Sequence, residues 1–301
     1  MTATPCRELS YQRFCRTPGF AEPTDVEAAW FARRSAIEHV LAAVAESPWS
    51  EYLVLRGSAV LRAWFGELAR EPGDLDFVLT VHQHRLHEDP REIIDDIRWH
   101  AVNISRRSGS PVRIGLRSVE TEWLWSYYNG SGIRLVLPWH GFGQVGTVRL
   151  DFAFDEVLPD PPVSTEFPLS GAGGRSVTLR TTSRRLSLAW KVLWLLAERD
   201  SGPRAKDLYD AVLLAEHCHL PPALLDEVLA QGAIDRTTRR ELSSRKLLRL
   251  ALDVDWREFA GEDPLLSGAH LEFAWRLAFG LEPTVPRIEV GAQTPDPAQH
   301  G

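Results

Sequence analysis

Cysteine is scarce in this chain: Cys6, Cys15 and Cys218 are all there is. The count is odd and no pair has C-x-x-C spacing, which argues against a disulfide framework and against a zinc site. Long apolar runs are missing too. None approaches the roughly 18 residues of a membrane span, so no membrane partner is expected. The first residues, MTATPCRELSYQRF, lack the apolar centre of a signal peptide. These absences read together as a cytoplasmic protein. An excess of positive charge is also lacking. The formal net charge is −7, which works against global attraction to nucleic acid but leaves room for a local basic patch. No internal repeat is visible. What is present, 301 residues with 44% apolar and 25% charged side chains, is the composition of a folded soluble protein of one large or two ordinary domains.

The stretch Leu53 to Leu79 organises the rest. It reads as a strand (Leu53-Val54-Leu55), a small-residue turn (Gly57-Ser58), a helix to about Arg70, a Pro72-Gly73 break and a second strand. Strand residues alternate between faces. Asp74, Asp76 and Val78 therefore share one face, and Leu75, Phe77 and Leu79 the other, core-facing one. Two carboxylates side by side on a strand repel each other, and the usual reason to hold them there is a divalent cation with hard oxygen ligands. At Gly57-Ser58, backbone N–H groups and a hydroxyl at a helix start can hold a phosphate.

Before this stretch, residues 1–23 carry three prolines and few apolar anchors and read as a flexible arm. Thr24 to Glu46 has a helical stripe of Trp30, Ile37, Val40, Leu41 and Val44. Thr24 or Asp25 can cap its start, and Pro48 ends it. After Leu79, His82, His84 and His87 read as a solvated loop, with metal ligation as the alternative. A helix is expected from Asp89 and Pro90 to about Ile104, and strands over Val112–Glu120 and Ile133–Pro138. The aromatic segment Trp123–Tyr128 between them reads as core or as the cover of a sheet edge, with base stacking the alternative. The glycine-rich His140–Gly146 precedes no helix and is not a phosphate loop. Thr147–Phe154 alternates cleanly: Val148, Leu150, Phe152 and Phe154 face one way, Arg149, Asp151 and Ala153 the other. Asp151 is thus a third strand carboxylate, which solvent exposure alone would also explain. Pro159, Pro161 and Pro162 with the Gly171–Gly174 cluster mark a boundary region that holds a short strand, Ser176–Leu179.

Beyond Thr181 strand patterns stop. Leu186, Ala189, Trp190, Leu193, Trp194 and Leu196 form a wide apolar helix face that also contains Lys191. A snorkelling side chain would explain this lysine, but an apolar face has little other need for it. A second helix opens with Arg204-Ala205-Lys206-Asp207-Leu208-Tyr209-Asp210, and its spacing puts Asp207 and Asp210 on one face. Asp207 near the start also suits the helix dipole; Asp210 lies past the capping position, which makes it the stronger functional candidate. Further helices are expected over 221–231, 235–252 and 267–280, and a disordered tail over 282–301. The domain plan is a core over 24–180 and a helical part over 181–281.

In order, G-S, a spacer, D-x-D, a later strand Asp, a helical Lys and R-x-K-D-x-x-D resemble the AbiEii/AbiGii toxin family of nucleotidyltransferases, within the DNA polymerase β-like superfamily. The match runs over roughly residues 50–215. Two departures stand out. The spacer between Ser58 and Asp74 is fifteen residues long, and Ser187-Leu188-Ala189-Trp190 precedes Lys191 where relatives more often carry a Glu. The resemblance implies an α+β fold, with a mixed-sheet nucleotidyltransferase core followed by a helical C-terminal domain. It implies Mg²⁺ or Mn²⁺ held by Asp74, Asp76 and Asp151, a nucleoside triphosphate met by Gly57, Ser58, Lys191, Arg204, Lys206 and Asp207, and catalytic roles for Asp74, Asp76, Asp151, Lys191 and Asp210. The expected acceptor is the 3′ end of tRNA or another RNA, with transfer to a small molecule or protein hydroxyl, or a catalytically silent binding module, as alternatives. A cognate antitoxin is implied as well. Basic clusters at Arg106, Arg107, Arg113 and Arg117, at Arg175, Arg180, Arg184 and Arg185, and at Arg236, Arg239, Arg240, Arg245, Lys246 and Arg249 read one by one as solvated helix faces; together, in an acidic chain, they suggest segregated charge that an RNA would bind through its phosphates, most of all along the last helices. Because the site draws on both parts, neither half is expected to be active alone.

Overall fold

A computed structural model describes residues 26–80, 90–115, 120–125, 131–154, 156–169, 175–197, 205–256 and 269–285. The arm over 1–23, the histidines of 81–89, Arg117, Arg204 and the tail beyond 285 lie outside the described residues. The elements run α1 (Val26–Glu46), β1 (Leu53–Arg56), α2 (Ser58–Phe65) with a 3-10 turn (Gly66–Leu68), β2 (Leu75–Leu79), α3 (Pro90–Arg107), β3 (Arg113–Ile114), β4 (Glu120–Trp125), β5 (Ser131–Gly141), β6 (Gln144–Ala153), β7 (Val163–Pro168), β8 (Ser176–Thr181), α4 (Arg184–Ala197), α5 (Ala205–Ala215), α6 (Pro222–Gln231), α7 (Arg236–Arg240), α8 (Ser244–Leu252) and α9 (His270–Gly280).

The strands form one mixed sheet in the order β3-β5-β6-β2-β1-β8-β7, with β4 alongside β5. β2 runs parallel to β6, and β1 parallel to β8; the other pairings are antiparallel. The alternation expected of β2 and β6 is present. Leu53, Leu55, Leu75, Phe77, Leu79, Leu150 and Phe152 point to one face, where residues of α1 and α3 cover them. Phe77 and Phe152, register partners, stack with ring centroids 5.5 Å apart. On the opposite face Val54 and Val78 join a second core built from α4, α5, α6, α8 and α9. The change of secondary structure near residue 181 is therefore spanned by shared packing: the helices close over the sheet face that carries Asp76.

Several boundaries differ from the expected ones. The helix after Ser58 stops at Phe65, short of Arg70, because Gly66 takes a positive φ of 58° that an L-residue adopts only at a cost. The strand expected over 112–120 shrinks to Arg113–Ile114, and Trp123–Trp125 belong to β4, at the sheet's edge. The proline-rich boundary region contributes a full strand, β7, paired with β8. The helix expected over 235–252 is two, since Ser243 caps α8 by accepting from Lys246 N. The first residues of the tail expected to be disordered over 282–301 are ordered: Val285 is buried and the Thr284 hydroxyl donates to Leu220 O at 2.7 Å. The His140–Gly146 segment is a hairpin tip. Phe142 and Gly143, with φ of 50° and 73°, make the two-residue turn whose twist suits antiparallel strands.

His39 of α1 is buried, with Nε2 2.9 Å from Ser108 Oγ. Burial, helped by the Arg113 charge, pushes the imidazole from its ordinary 6.5 down to about 4. Below pH 6.5 the unfolded chain takes up a proton that the folded chain refuses until about pH 4. Stability should therefore fall across that window. Between pH 7 and pH 5 the loss from this group should be about 2 kcal/mol. Urea unfolding at both pH values should show it for the native protein and not for His39→Gln.

Candidate active site

Strand pairing turns local alternation into a row of charges. Arg56 on β1 is the register partner of Asp76 on β2, Asp76 of Asp151 on β6, Asp151 of Arg134 on β5, and Arg134 of Glu122 on β4. Register partners share a face, and neighbouring strands lie about 4.8 Å apart. The row thus reads plus, minus, minus, plus, minus across one sheet face. Asp74, just ahead of β2, lies beside the row with Arg149 Nη2 3.6 Å away.

Asp76 sits at the centre. Burial pushes its carboxyl above the usual carboxylate range, and the nearby Asp74 and Asp151 charges add to this, while Arg56 and Lys191 oppose it. Gly57 presses against it. Its φ of 82° with ψ of −158° is a glycine conformation, and a Cβ there would lie 2.7 Å from Asp76 Oδ2. Gly57→Ala should lose about 1–3 kcal/mol from backbone strain alone, and more from the clash; a denaturation midpoint equal to that of the native protein would contradict the close approach. Ser58, the first residue of α2, is buried beside it.

The two cations of the row have different partners. Arg134 donates twice to Asp151, Nε to Oδ1 and Nη2 to Oδ2, each at 2.7 Å. Arg56 pairs with Glu156, and its guanidinium lies 4.8 Å from the Trp190 ring centroid.

The helical side brings a second group of charges. Lys191 Nζ lies 2.6 Å from Asp207 Oδ1 and 2.8 Å from Asp210 Oδ2. Asp210 also accepts from Arg70 Nε and Nη2 at 3.0–3.1 Å. All four side chains are buried, and their charges sum to zero. Burial disfavours the Lys191 charge, but Asp207 and Asp210 outweigh it and hold the ammonium above its ordinary range. Burial likewise disfavours the Asp210 charge, but Arg70 and Lys191 hold its carboxyl below the usual range. The same helix grips the chain ahead of β2 again, since the Tyr209 hydroxyl donates to Leu68 O at 2.7 Å. Glu71 is held by Arg34 and Arg62, and Arg33 donates to Gly73 O. The segment leading into Asp74 and Asp76 is thus clamped from α1, α2 and α5.

Of the residues singled out in the sequence, Asp76 and Asp151 meet in the row, Gly57 and Asp74 border it, and Lys191, Asp207 and Asp210 form the buried cluster. Lys206 is half-buried on α5. Sequence reasoning missed Arg56, Arg70, Arg134 and Glu156. Alternation in β5 held a signal for Arg134, because Ile133, Leu135 and Leu137 occupy the other, apolar face. Arg70 carried none: its partner lies 140 residues away. Among the basic clusters, several arginines are held by carboxylates of this chain, Arg185 by Asp160 and Arg107 by Glu46 among them. Arg236 and Arg240 of α7 and Arg245 and Arg249 of α8 are exposed.

The donor chemistry of Asp74, Asp76 and Asp151 fits a hard divalent cation: carboxylates crowd one another on a face with some solvent access. Their present arrangement does not close on one. Among the described residues no group of three or more Asp, Glu, His or Cys side chains stands ready to hold a metal, and each Asp151 oxygen accepts from Arg134.

The family model described as nucleotidyl transferase AbiEii toxin, type IV TA system, matches residues 39–279. The chain belongs to the AbiEii nucleotidyltransferase toxin family. The AbiEii match spans the charge row and the buried cluster alike. No curated protein sequence matches the chain. Among solved structures, JHP933 from Helicobacter pylori superposes with a TM-score of 0.52 at 15% identity, covering 88% of this chain and 93% of its own. A second H. pylori structure, provisionally described as a nucleotidyltransferase, gives a TM-score of 0.52 at 16% identity, over 86% of this chain and 95% of its own. At such identities the likeness is one of fold: the AbiEii chain has the mixed sheet and helices of nucleotidyltransferase-like proteins. No helix among its described residues is long and apolar enough to cross a membrane.

Proposed function

We propose that this AbiEii-family protein moves a nucleotide from a nucleoside triphosphate to the 3′ end of tRNA or another RNA in the cytoplasm, with release of pyrophosphate. The observation that carries the reading is the register pairing of Asp76 with Asp151 on parallel strands, with the Gly57 turn pressed against Asp76. Asp74, Asp76 and Asp151 would hold Mg²⁺ or Mn²⁺. Such an ion supplies charge neutralisation at the triphosphate and lowers the pKa of an attacking hydroxyl. Gly57, lacking a Cβ, lets the backbone approach a phosphate, and Ser58 begins the helix whose N-terminus favours one. Lys191 projects positive charge toward Asp76 from a fixed position, because Asp207 and Asp210 hold its ammonium. Lys206, and Arg204 ahead of it, would add cationic contacts from the start of α5. The exposed arginines of α7 and α8 favour a polyanionic acceptor bound through phosphates. As a toxin, the protein would be countered by the cognate antitoxin that the family implies.

The test is incubation with Mg²⁺, each labelled nucleoside triphosphate in turn and total tRNA, with Asp76→Asn alongside. Label in RNA, weakened by added salt, supports the proposal. Label in protein or in a small molecule would overturn the acceptor. Label nowhere would overturn transfer itself.

A further inference from the structure

Two of the arginine–aspartate pairs near the candidate site are built differently. Arg70–Asp210 is locked in the interior, with side-chain exposures of 11% and 0%. Arg134–Asp151 has nearly the same planar, two-point geometry but stands at 29% and 20% exposure. Its guanidinium can leave for water, whereas that of Arg70 cannot without abandoning a buried charge. Arg134 also sits where neutralisation is needed. With Asp76 and Asp151 side by side, the row would carry two adjacent negative charges, and Arg56 and Arg134 flank them from the neighbouring strands. Each oxygen of Asp151 accepts one N–H from Arg134, so a cation approaching Asp151 must compete with a guanidinium already bound to both oxygens.

We propose that Arg134 is an exchangeable internal counter-ion: a divalent cation competes with it for Asp151 and loosens the pair on binding. Arg134 is then a positioning residue that sets how tightly the site takes metal. This rests on the proposed role of Asp151 as a ligand, and it accounts for carboxylates that suit a metal yet do not converge on one. The exchange forms and breaks no covalent bond: Asp151 gives up N–H···O contact for coordination by the cation, and the loosened guanidinium becomes hydrated.

Binding of Mn²⁺ alone, without nucleotide, tests the idea through the electron paramagnetic resonance signal of the free ion. The variants are Arg134→Gln, Arg134→Lys, Asp151→Asn and the double variant Arg134→Gln with Asp151→Asn. An exposed charge pair is modest in strength, so Arg134→Gln should tighten Mn²⁺ binding by roughly 3–10-fold. Arg134→Lys, which keeps the charge but loses the two-point fork, should fall between. In the Asp151→Asn background the effect of Arg134→Gln should vanish. Unchanged or weaker binding by Arg134→Gln, with Asp151→Asn binding less than the native protein, would overturn the counter-ion role and leave the metal reading standing. Equal binding by the native protein and Asp151→Asn would overturn both. Should Arg134→Gln fail to fold, Arg134→Lys carries the test, and affinity equal to the native protein's would overturn the proposal.

Discussion

Replacing Asp210 with alanine should cost the protein about 3–5 kcal/mol, because it leaves buried cations without their anion. Asp210 is the hub of the interior cluster: it accepts from Arg70 at 3.0–3.1 Å and faces Lys191 at 2.8 Å. Remove it, and Arg70 and Lys191 share Asp207 alone, in a place none of them can leave for water. Asp210→Asn should cost less, since an amide oxygen can still accept from Arg70. Arg70→Met combined with Asp210→Leu removes one charge of each sign and leaves the Lys191–Asp207 pair balanced. That double variant should recover much of the loss, as apolar replacements of complete buried pairs commonly do. Urea unfolding of the three variants at pH 7 decides the matter. A loss below about 1 kcal/mol for Asp210→Ala, the size expected of exposed pairs, would mean that water reaches the cluster.

The second large effect concerns chemistry. Asp76→Asn should reduce nucleotide transfer on the order of 10²-fold or more, the scale of losing a charge aimed at the developing transition state. Asp76 is central to the charge row: Asp151 and Arg56 are its register partners, and the Gly57 turn packs against it. The same change should leave the fold as stable as before or more so. Its carboxyl is pushed up by burial and by Asp74 and Asp151. The folded state therefore holds the proton more tightly than the unfolded one. The ionised form is penalised at neutral pH, and stability from this group is lost as pH rises through the raised value. Asparagine removes that penalty. Single-turnover transfer and a urea midpoint measured on one preparation separate the outcomes. Activity that survives would remove Asp76 from the site, and activity lost together with the fold would show that its role is structural.

Much of this site was legible in the chain before folding was considered. Alternation along Leu75–Leu79 and Thr147–Ala153 placed Asp76 and Asp151 opposite apolar faces, and helical spacing placed Asp207 and Asp210 together; both are consequences of local geometry. Helix α1 and the start of α5 fell within a few residues of their expected bounds for the same reason. What local reasoning missed depended on partners remote in sequence. β7 reads as a proline-rich boundary until β8 pairs with it. Arg70 reads as a charge closing a helix until Asp210 meets it. The opening stretch, with Asp74, Asp76, Gly57 and Ser58, specified which chemical groups the protein would bring to one place. Only the packing of sheet and helices decided their states: Asp151 held by Arg134, Lys191 neutralised by two aspartates, and Asp76 crowded and partly desolvated between them. Alternation is written in the backbone of each strand, whereas register, burial and charge pairing exist only once distant segments share a surface.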